Sequence, residues 1–340
     1  MNGFVKSFVF PFLIALVIFS VIAVVAVPPI INLVFASDDT VESNDDEAEN
    51  TDGDMNKLNP RANGSLSLML ICTEDLPDKN DSDDHKDDTT DKDSSIQKEF
   101  DELINKTNIK PTKSIKFITV TVFDSILNRV SVTYIAPETE VSVKGARTDL
   151  DTVLFCAEND LYDVTYDYFP DYALSVTGFK PDIYAFEDIN EYIKIADTFK
   201  DLTVTMNESI NIRSSNGRMI PYRAGTLTVS PSDLYNLITC ETYTDNLTKS
   251  TILESFSLSV LDKITTLNYY SKVEAAFNRC ISSMYRTNAT YGKFSEKTDL
   301  FFSYKLYSHV AVNLIGETTT SSGKKIFIPN RSASLELFKK

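Results

Sequence analysis

Apolar residues run without a charged interruption from position 8 to 36 (FVFPFLIALVIFSVIAVVAVPPIINLVFA). That is long enough for a membrane-spanning helix, which needs about 20 residues. Pro28 and Pro29 end or kink such a helix near the outer face, because proline removes backbone donors and clashes with the preceding turn. Lys6 precedes the segment and an acidic run follows it, so the positive-inside bias puts the N-terminus in the cytoplasm and the remaining chain outside. The alternative is a cleaved signal peptide. Val34, Phe35 and Ala36 would supply a small-residue cleavage site, but the apolar stretch is roughly twice the usual signal-peptide core of about 7–15 residues. The pattern therefore predicts a signal anchor over residues 1–36, and an extracytoplasmic body in either case.

Beyond the anchor, residues 37–62 alternate Asp, Glu and Asn with few apolar groups and read as an extended acidic tether. SLSLMLIC (65–72) reads as a strand. A second acidic stretch (75–95) contains NDSDDHKDDTTDKD; Asp81, Asp83 and Asp87 alternate as in a calcium loop. The Gly at the sixth position and the Glu at the twelfth are missing, so a solvated insertion is expected. IQKEFDELIN (96–105) predicts a short amphipathic helix. Residues 115–124 and 129–137 are β-branched and alternating, around a break at SILN, and predict a hairpin. Residues 148–168 predict a helix with a tyrosine-rich face, 182–199 a strand running into a helix, and 201–206 another strand. Ser230, Pro231 and Asp233 mark a helix start as cap, first helical position and first-turn acid. Ile252, Phe256, Val260, Ile264, Ala275, Phe277 and Ile281 recur at helical spacing through 249–286. Strands and helices alternate without a second linker, so residues 63–340 are expected to be one α/β (α+β) domain.

Charge changes this picture in one respect. The chain of 340 residues has a formal charge of −16, but residues 37–95 hold 19 acids against 5 bases, while residues 96–340 hold 30 against 27. The body is nearly balanced, so its composition supplies no basic face and no nucleic-acid partner is expected. Cys72, Cys156, Cys240 and Cys280 lie far apart, and His85 and His309 are the sole histidines. A zinc site is not supported; one or two disulfides and buried free thiols remain equally open. No G-x-S-x-G elbow, H-E-x-x-H helix or P-loop occurs. His309, in LYSHVAV, is expected to be half-buried and structural. The Tyr- and Phe-rich 162–172 segment is expected to supply core.

In order and spacing these segments resemble the LytR-CpsA-Psr (LCP) family. SLMLICTE resembles the family's opening N-I-L-L-L-G-x-D strand, with Cys72 at the glycine and Glu74 at the aspartate. Residues 114–123 resemble its R-S-D-T-I-M-L-V-S-I strand, and Tyr134, Ile135, Ala136, Pro137, Glu138 and Thr139 its S-I-P-R-D-T hairpin end. YIKIADTFKDLTV echoes F-x-x-L-V-D-A-L-G-G-V-x-V, keeping Asp197, and RAGTLTVSPSDLYNLI echoes a later family helix. The resemblance implies a three-layer α-β-α sandwich with a central mixed sheet, preceded by one N-terminal transmembrane helix. Its implied activity is transfer of glycopolymers from a polyprenyl-pyrophosphate carrier to peptidoglycan, at the cell membrane, with Mg²⁺ as cofactor and a polyprenyl-phosphate lipid or cell-wall glycan as partner.

The family's chemistry needs arginines that grip a pyrophosphate and carboxylates that hold Mg²⁺ against it. Here the first arginine-aspartate pair falls on Ser114 and Lys116, and the second on Pro137 and Glu138. The resemblance therefore implies a catalytically degenerate member. The residues it leaves for the chemistry are Glu138 and Arg147 as catalytic groups, Arg223 and Asp197 for substrate, and Glu74 with Glu138 for the metal; Arg213 is a further cation. Arg147 and Asp149 are alternatively a surface ion pair. The competing function classes are a residual transferase, a non-catalytic lipid- or glycan-binding scaffold, and a surface protein unrelated to the family.

Overall fold

The computed structural model describes residues 64–76, 102, 107, 109–199, 201–213, 218–240, 243, 246–265, 284–297, 300, 306–321 and 324–339. The expected anchor, the tether, the acidic insertion beyond Leu76 and the 96–105 helix lie outside them, apart from a helical Glu102. Among the described residues no helix is long and apolar enough to cross a membrane.

β1 (Ser65–Asp75) leads to β2 (Lys113–Asp124), which turns back into β3 (Arg129–Ile135) as the alternation predicts. Asp124 closes that turn, its Oδ1 accepting the amides of Ile126 (2.9 Å) and Leu127 (3.0 Å). A ribbon that the sequence reading did not foresee follows, β4 (Glu140–Val143) against β5 (Ala146–Asp149). Its two-residue turn has positive φ at both Lys144 (48°) and Gly145 (89°), the primed geometry that matches strand twist. Asp149 is buried, not at the surface, whereas Arg147 is largely exposed. Asp149 is a cap whose Oδ1 accepts the Thr152 amide at 2.8 Å and opens α1 (Leu150–Glu158), which corrects the surface-pair expectation.

The helix expected through 148–168 is likewise corrected. Asp160, Tyr162 and Asp163 take left-handed φ of 52°, 57° and 55°, conformations that cannot continue a right-handed helix. A second helix, α2 (Tyr168–Thr177), stops at Gly178 with φ 79°, a position that suits glycine. β6 (Ile183–Asp188) then runs into α3 (Ile189–Ile193) and α4 (Ile195–Thr198). β7 (Thr203–Met206), β8 (Ile210–Arg213), β9 (Met219–Tyr222) and β10 (Gly225–Thr228) form two nested ribbons, β7 with β10 and β8 with β9. Ser230 and Asp233 make a reciprocal capping box on α5 (Pro231–Thr239), with Pro231 at its first position. The long apolar-periodic segment is helical as α6 (Asn246–Thr265); residues 266–283 lie outside the description. The chain ends through β11 (Arg286–Thr287), α7 (Tyr291–Ser295), β12 (Ser308–Val312), the hairpin β13 (Gly316–Ser321) with β14 (Lys324–Pro329), and α8 (Arg331–Lys339).

Six strands form the central sheet in the order β11-β6-β1-β2-β3-β12. β1 is parallel to β6 and β3 to β12, and the other pairings are antiparallel, so the sheet is mixed. Strand alternation divides the core in two. Leu66, Leu68, Leu70 and Cys72 face one way, under α5, α6 and α7, with Leu237, Ile252, Phe256 and Phe294 packed in. Met69, Ile71, Ile118 and Val120 face the other way, under α1, α2 and α8, with Leu154, Phe169, Val176 and Phe338. This is a three-layer α-β-α arrangement. β1 lies at its centre and is buried on both faces, which is why its sequence is a nearly continuous apolar run. Each large apolar side chain so buried stabilises the fold by roughly 1.5–3 kcal/mol.

One irregularity positions the site. The β1–β2 register steps from Cys72 opposite Phe117 to Thr73 opposite Ile115, leaving Lys116 as an extra, bulged residue. Regular alternation would have turned Lys116 into the apolar layer beneath α1. The bulge re-aims it, as bulges commonly do at sheet ends.

Candidate functional site at the carboxyl ends of the central strands

β1, β3, β6 and β12 all run toward one end of the sheet, and open α/β sheets take ligands outside the carboxyl ends of their parallel strands. At that end Lys116 Nζ lies 2.8 Å from Glu74 Oε2, both side chains being about one quarter exposed (26%). Glu74 Oε1 accepts the Tyr235 hydroxyl of α5 at 2.8 Å. Burial pushes the Tyr235 phenol up to about 12, and the Glu74 contact adds to it. Thr73 and Tyr285 hydroxyls meet at 3.1 Å, and Lys113 bonds Asp75 at 2.6 Å while standing 4.9 Å over the Tyr285 ring. The crevice outside these strand ends is thus flanked by two lysines, each already facing a carboxylate, Lys116 on the α5 side of the sheet and Lys113 on the side of Glu158 and Tyr166. A third, Lys249 of α6, is buried in the helical layer of α5, donating to the Tyr134 hydroxyl at 3.0 Å and lying 4.7 Å over its ring.

One row below, Glu187 on β6 stands in register with Cys72 and is fully buried, with neither carboxyl oxygen hydrogen-bonded among the described residues. Burial, then the charges of Glu191 and Asp188, push its carboxyl up to about 8. Unpaired charge at such a depth is costly, and the group stays neutral instead. Burial also pushes the Cys72 thiol well up, with Glu187 and Asp188 adding to it, and raises the buried Tyr192 phenol beside them. Cys72 and Cys156 are buried thiols.

The residues singled out from the sequence are not all brought together. Glu74 is at the crevice. Glu138 follows β3, where its carbonyl accepts the Phe327 amide of β14, among residues such as Ile135 and Val141 that belong to the α1–α2 layer. Arg147 is largely exposed (77%) and 3.9 Å from Glu140 across the β4–β5 ribbon. Asp197 is exposed on α4, and Arg213 is exposed on β8. Arg223 lines a separate cavity beside the start of α5. His309 is exposed on the edge strand β12, which corrects the half-buried expectation, because among the described residues β12 pairs on one side only. The tyrosine-rich 162–172 segment packs into the α1–α2 layer as expected.

Mg²⁺ shared by Glu74 and Glu138 does not fit this arrangement. Glu74 spends both oxygens on Lys116 and Tyr235, and Glu138 lies with β4 and β14. Among the described residues no three His, Cys, Asp or Glu side chains converge as a metal-binding group. What the sequence reading missed is Lys116 as the partner of Glu74, together with Tyr235, Glu187 and Lys249. For Glu187 a signal existed: in IYAFED, alternation sets it on the face of Ile183 and Ala185, hence indoors.

No protein-family profile matches the chain, and no curated protein matches it either. Solved structures do. A provisionally assigned transcription regulator from Eubacterium siraeum is similar at a TM-score of 0.53, with 14% identity over 89% of this chain and 98% of that one. B. subtilis TagV is similar at 0.51, with 12% identity over 82% and 95%. A Streptococcus agalactiae protein is similar at 0.51, with 13% identity over 81% and 86%. At such identities the likeness concerns the fold. TagV is an LCP-family protein, and the chain described here has an LCP-like fold.

Proposed function

We propose that this chain is a cell-envelope protein, anchored by residues 8–36 with its body outside the membrane, that binds a polyprenyl-phosphate-linked glycan through the crevice and does not transfer it. The pairing of Glu74 with Lys116 and Tyr235 carries the reading. A transferase of this fold needs guanidinium forks to hold a pyrophosphate in line and a carboxylate free to hold a metal. The crevice offers lysines, which are hydrated point charges suited to binding a phosphate but not to bidentate alignment. Arg147, Arg213 and Arg223 lie on other elements, and the carboxylate at the family's aspartate position is occupied by an ammonium. An LCP-like fold supports the envelope role at the level of architecture.

The test uses the full chain in detergent or vesicles containing a polyprenyl-pyrophosphate-linked saccharide and a peptidoglycan acceptor. Binding is expected with and without Mg²⁺, and no saccharide transfer. Mg²⁺-dependent transfer that Glu138→Gln abolishes would establish the transferase instead, and failure to bind any polyprenyl phosphate would remove the carrier from the reading.

A further inference from the structure

An open cavity of about 290 Å³ lies where the chain passes from the β8–β9 ribbon to the β7–β10 ribbon, walled by Pro221, Tyr222, Arg223, Leu227, Thr228 and the start of α5. Two charged side chains line it, and they are not equivalent. Asp233 is consumed by its own surroundings. Its Oδ1 accepts the Tyr222 hydroxyl at 2.9 Å, and its Oδ2 accepts the Ser230 amide at 3.1 Å and hydroxyl at 2.6 Å. It also sits in the first turn of α5, where the helix dipole favours an anion. Asn236 Nδ2 donates to the Tyr222 hydroxyl at 3.2 Å, so the polar floor is already satisfied. Arg223 is exposed and has no ion-pair or hydrogen-bond partner among the described residues. The one charge this cavity has to offer is a guanidinium.

We infer that the cavity is a subsite for a single pyranose bearing one anionic group, a carboxylate or a phosphate, with Arg223 as its fork. A planar guanidinium matches either anion bidentately. Pro221 and Leu227 supply an apolar wall for the C–H face of a sugar ring, and the exposed Thr228 hydroxyl supplies a polar rim. The volume is at the small end of small-molecule pockets, which begin at about 300 Å³, so one ring fits rather than a chain. α5 separates this subsite from the crevice, presenting Asp233 to one and, two residues on, Tyr235 to the other. The choice of a sugar rests on the carrier-binding reading; the anion preference rests on Arg223 and the cavity alone.

Glucuronic acid, glucose 1-phosphate, glucose and inorganic phosphate, each titrated into the full chain and followed by ligand-observed NMR, separate the possibilities. Both anionic sugars are expected to bind at least about tenfold more tightly than glucose or phosphate. Arg223→Gln should erase that margin and leave glucose unchanged, whereas Arg147→Gln should leave all four unchanged. Thr228→Val provides a second variant at the rim and should weaken all three sugars while sparing phosphate. Binding by one anionic sugar alone would keep the subsite and identify its anion. Equal binding of glucose and the anionic sugars, phosphate binding as tightly as glucose 1-phosphate, or no binding at about 10 mM would each overturn the proposal. Lys116→Gln should weaken carrier binding in vesicles without moving these titrations, so failure of one reading is distinguishable from failure of the other.

Discussion

Lys116 and Glu74 form an ion pair of 2.8 Å across the β1–β2 bulge, and Tyr235 closes it from the helical layer. The pair is partly exposed, so it adds little to stability, under about 1 kcal/mol. Its consequence is for ligand binding. Glu74→Gln should release the ammonium and tighten binding to vesicles carrying polyprenyl phosphate, by about tenfold at low salt, with the gain fading as ionic strength rises. Lys116→Gln should weaken the same binding. Vesicle co-sedimentation over a salt series measures both. Loss of binding in both variants would instead place Glu74 among the ligand's own contacts.

Glu187 makes stability depend on pH. Its carboxyl is raised from an ordinary 4.5 to about 8 in the folded protein, so the folded state holds a proton that the unfolded state releases. Stability should therefore fall as pH rises from 4.5 toward 8 and level off above. Glu187→Gln keeps the shape without the titration and should be the more stable protein at pH 8, by on the order of 4 kcal/mol. At pH 4 the two should differ little. Equilibrium urea unfolding at several pH values reads this directly, and a pH-independent difference would contradict it.

Ser230 caps α5 from both directions. Ser230→Ala removes the side-chain acceptor for the Asp233 amide and should cost about 1 kcal/mol. Because Asp233 also floors the cavity, the same variant should loosen Tyr222, visible as faster amide exchange at the start of α5 and at the end of β9.

Ser250 ties three elements together, its hydroxyl accepting the Tyr134 amide at 3.0 Å and donating to the Val312 carbonyl at 3.1 Å. It is fully buried on α6. Ser250→Ala would leave both backbone groups short of a partner and should destabilise the protein by about 1–3 kcal/mol. Hydrogen exchange should show β12, the edge strand, opening first.

Local rules carried much of this structure in the sequence. The continuous apolar run of 65–72, the alternation of 115–124 and 129–137, and the Ser-Pro-x-Asp start of α5 were legible because each is set by neighbours within a few residues. Two features were not. The β4–β5 ribbon depends on two consecutive positive-φ residues, of which Lys144 carries no signature. The break after α1 depends on left-handed Asp160, Tyr162 and Asp163 in a stretch whose aromatic spacing imitates a helix. The candidate site was legible only in part, since Glu74 could be located but its partners come from residues 42 and 161 positions away. Tertiary pairing of that kind leaves no trace in spacing.

The bulge at Lys116 has a consequence for chain length. One added residue changes the outlook of a single side chain while Ile115 and Phe117 each keep their own side of the sheet. Deleting residue 116 would thus excise a charge from the crevice and leave both apolar layers in step. Deleting a neighbouring residue from the regular part of β2 would push every position on one side of the gap through to the wrong layer. Tolerance to shortening should accordingly be confined to this one point on the strand, a pattern that a scan of single-residue deletions would expose.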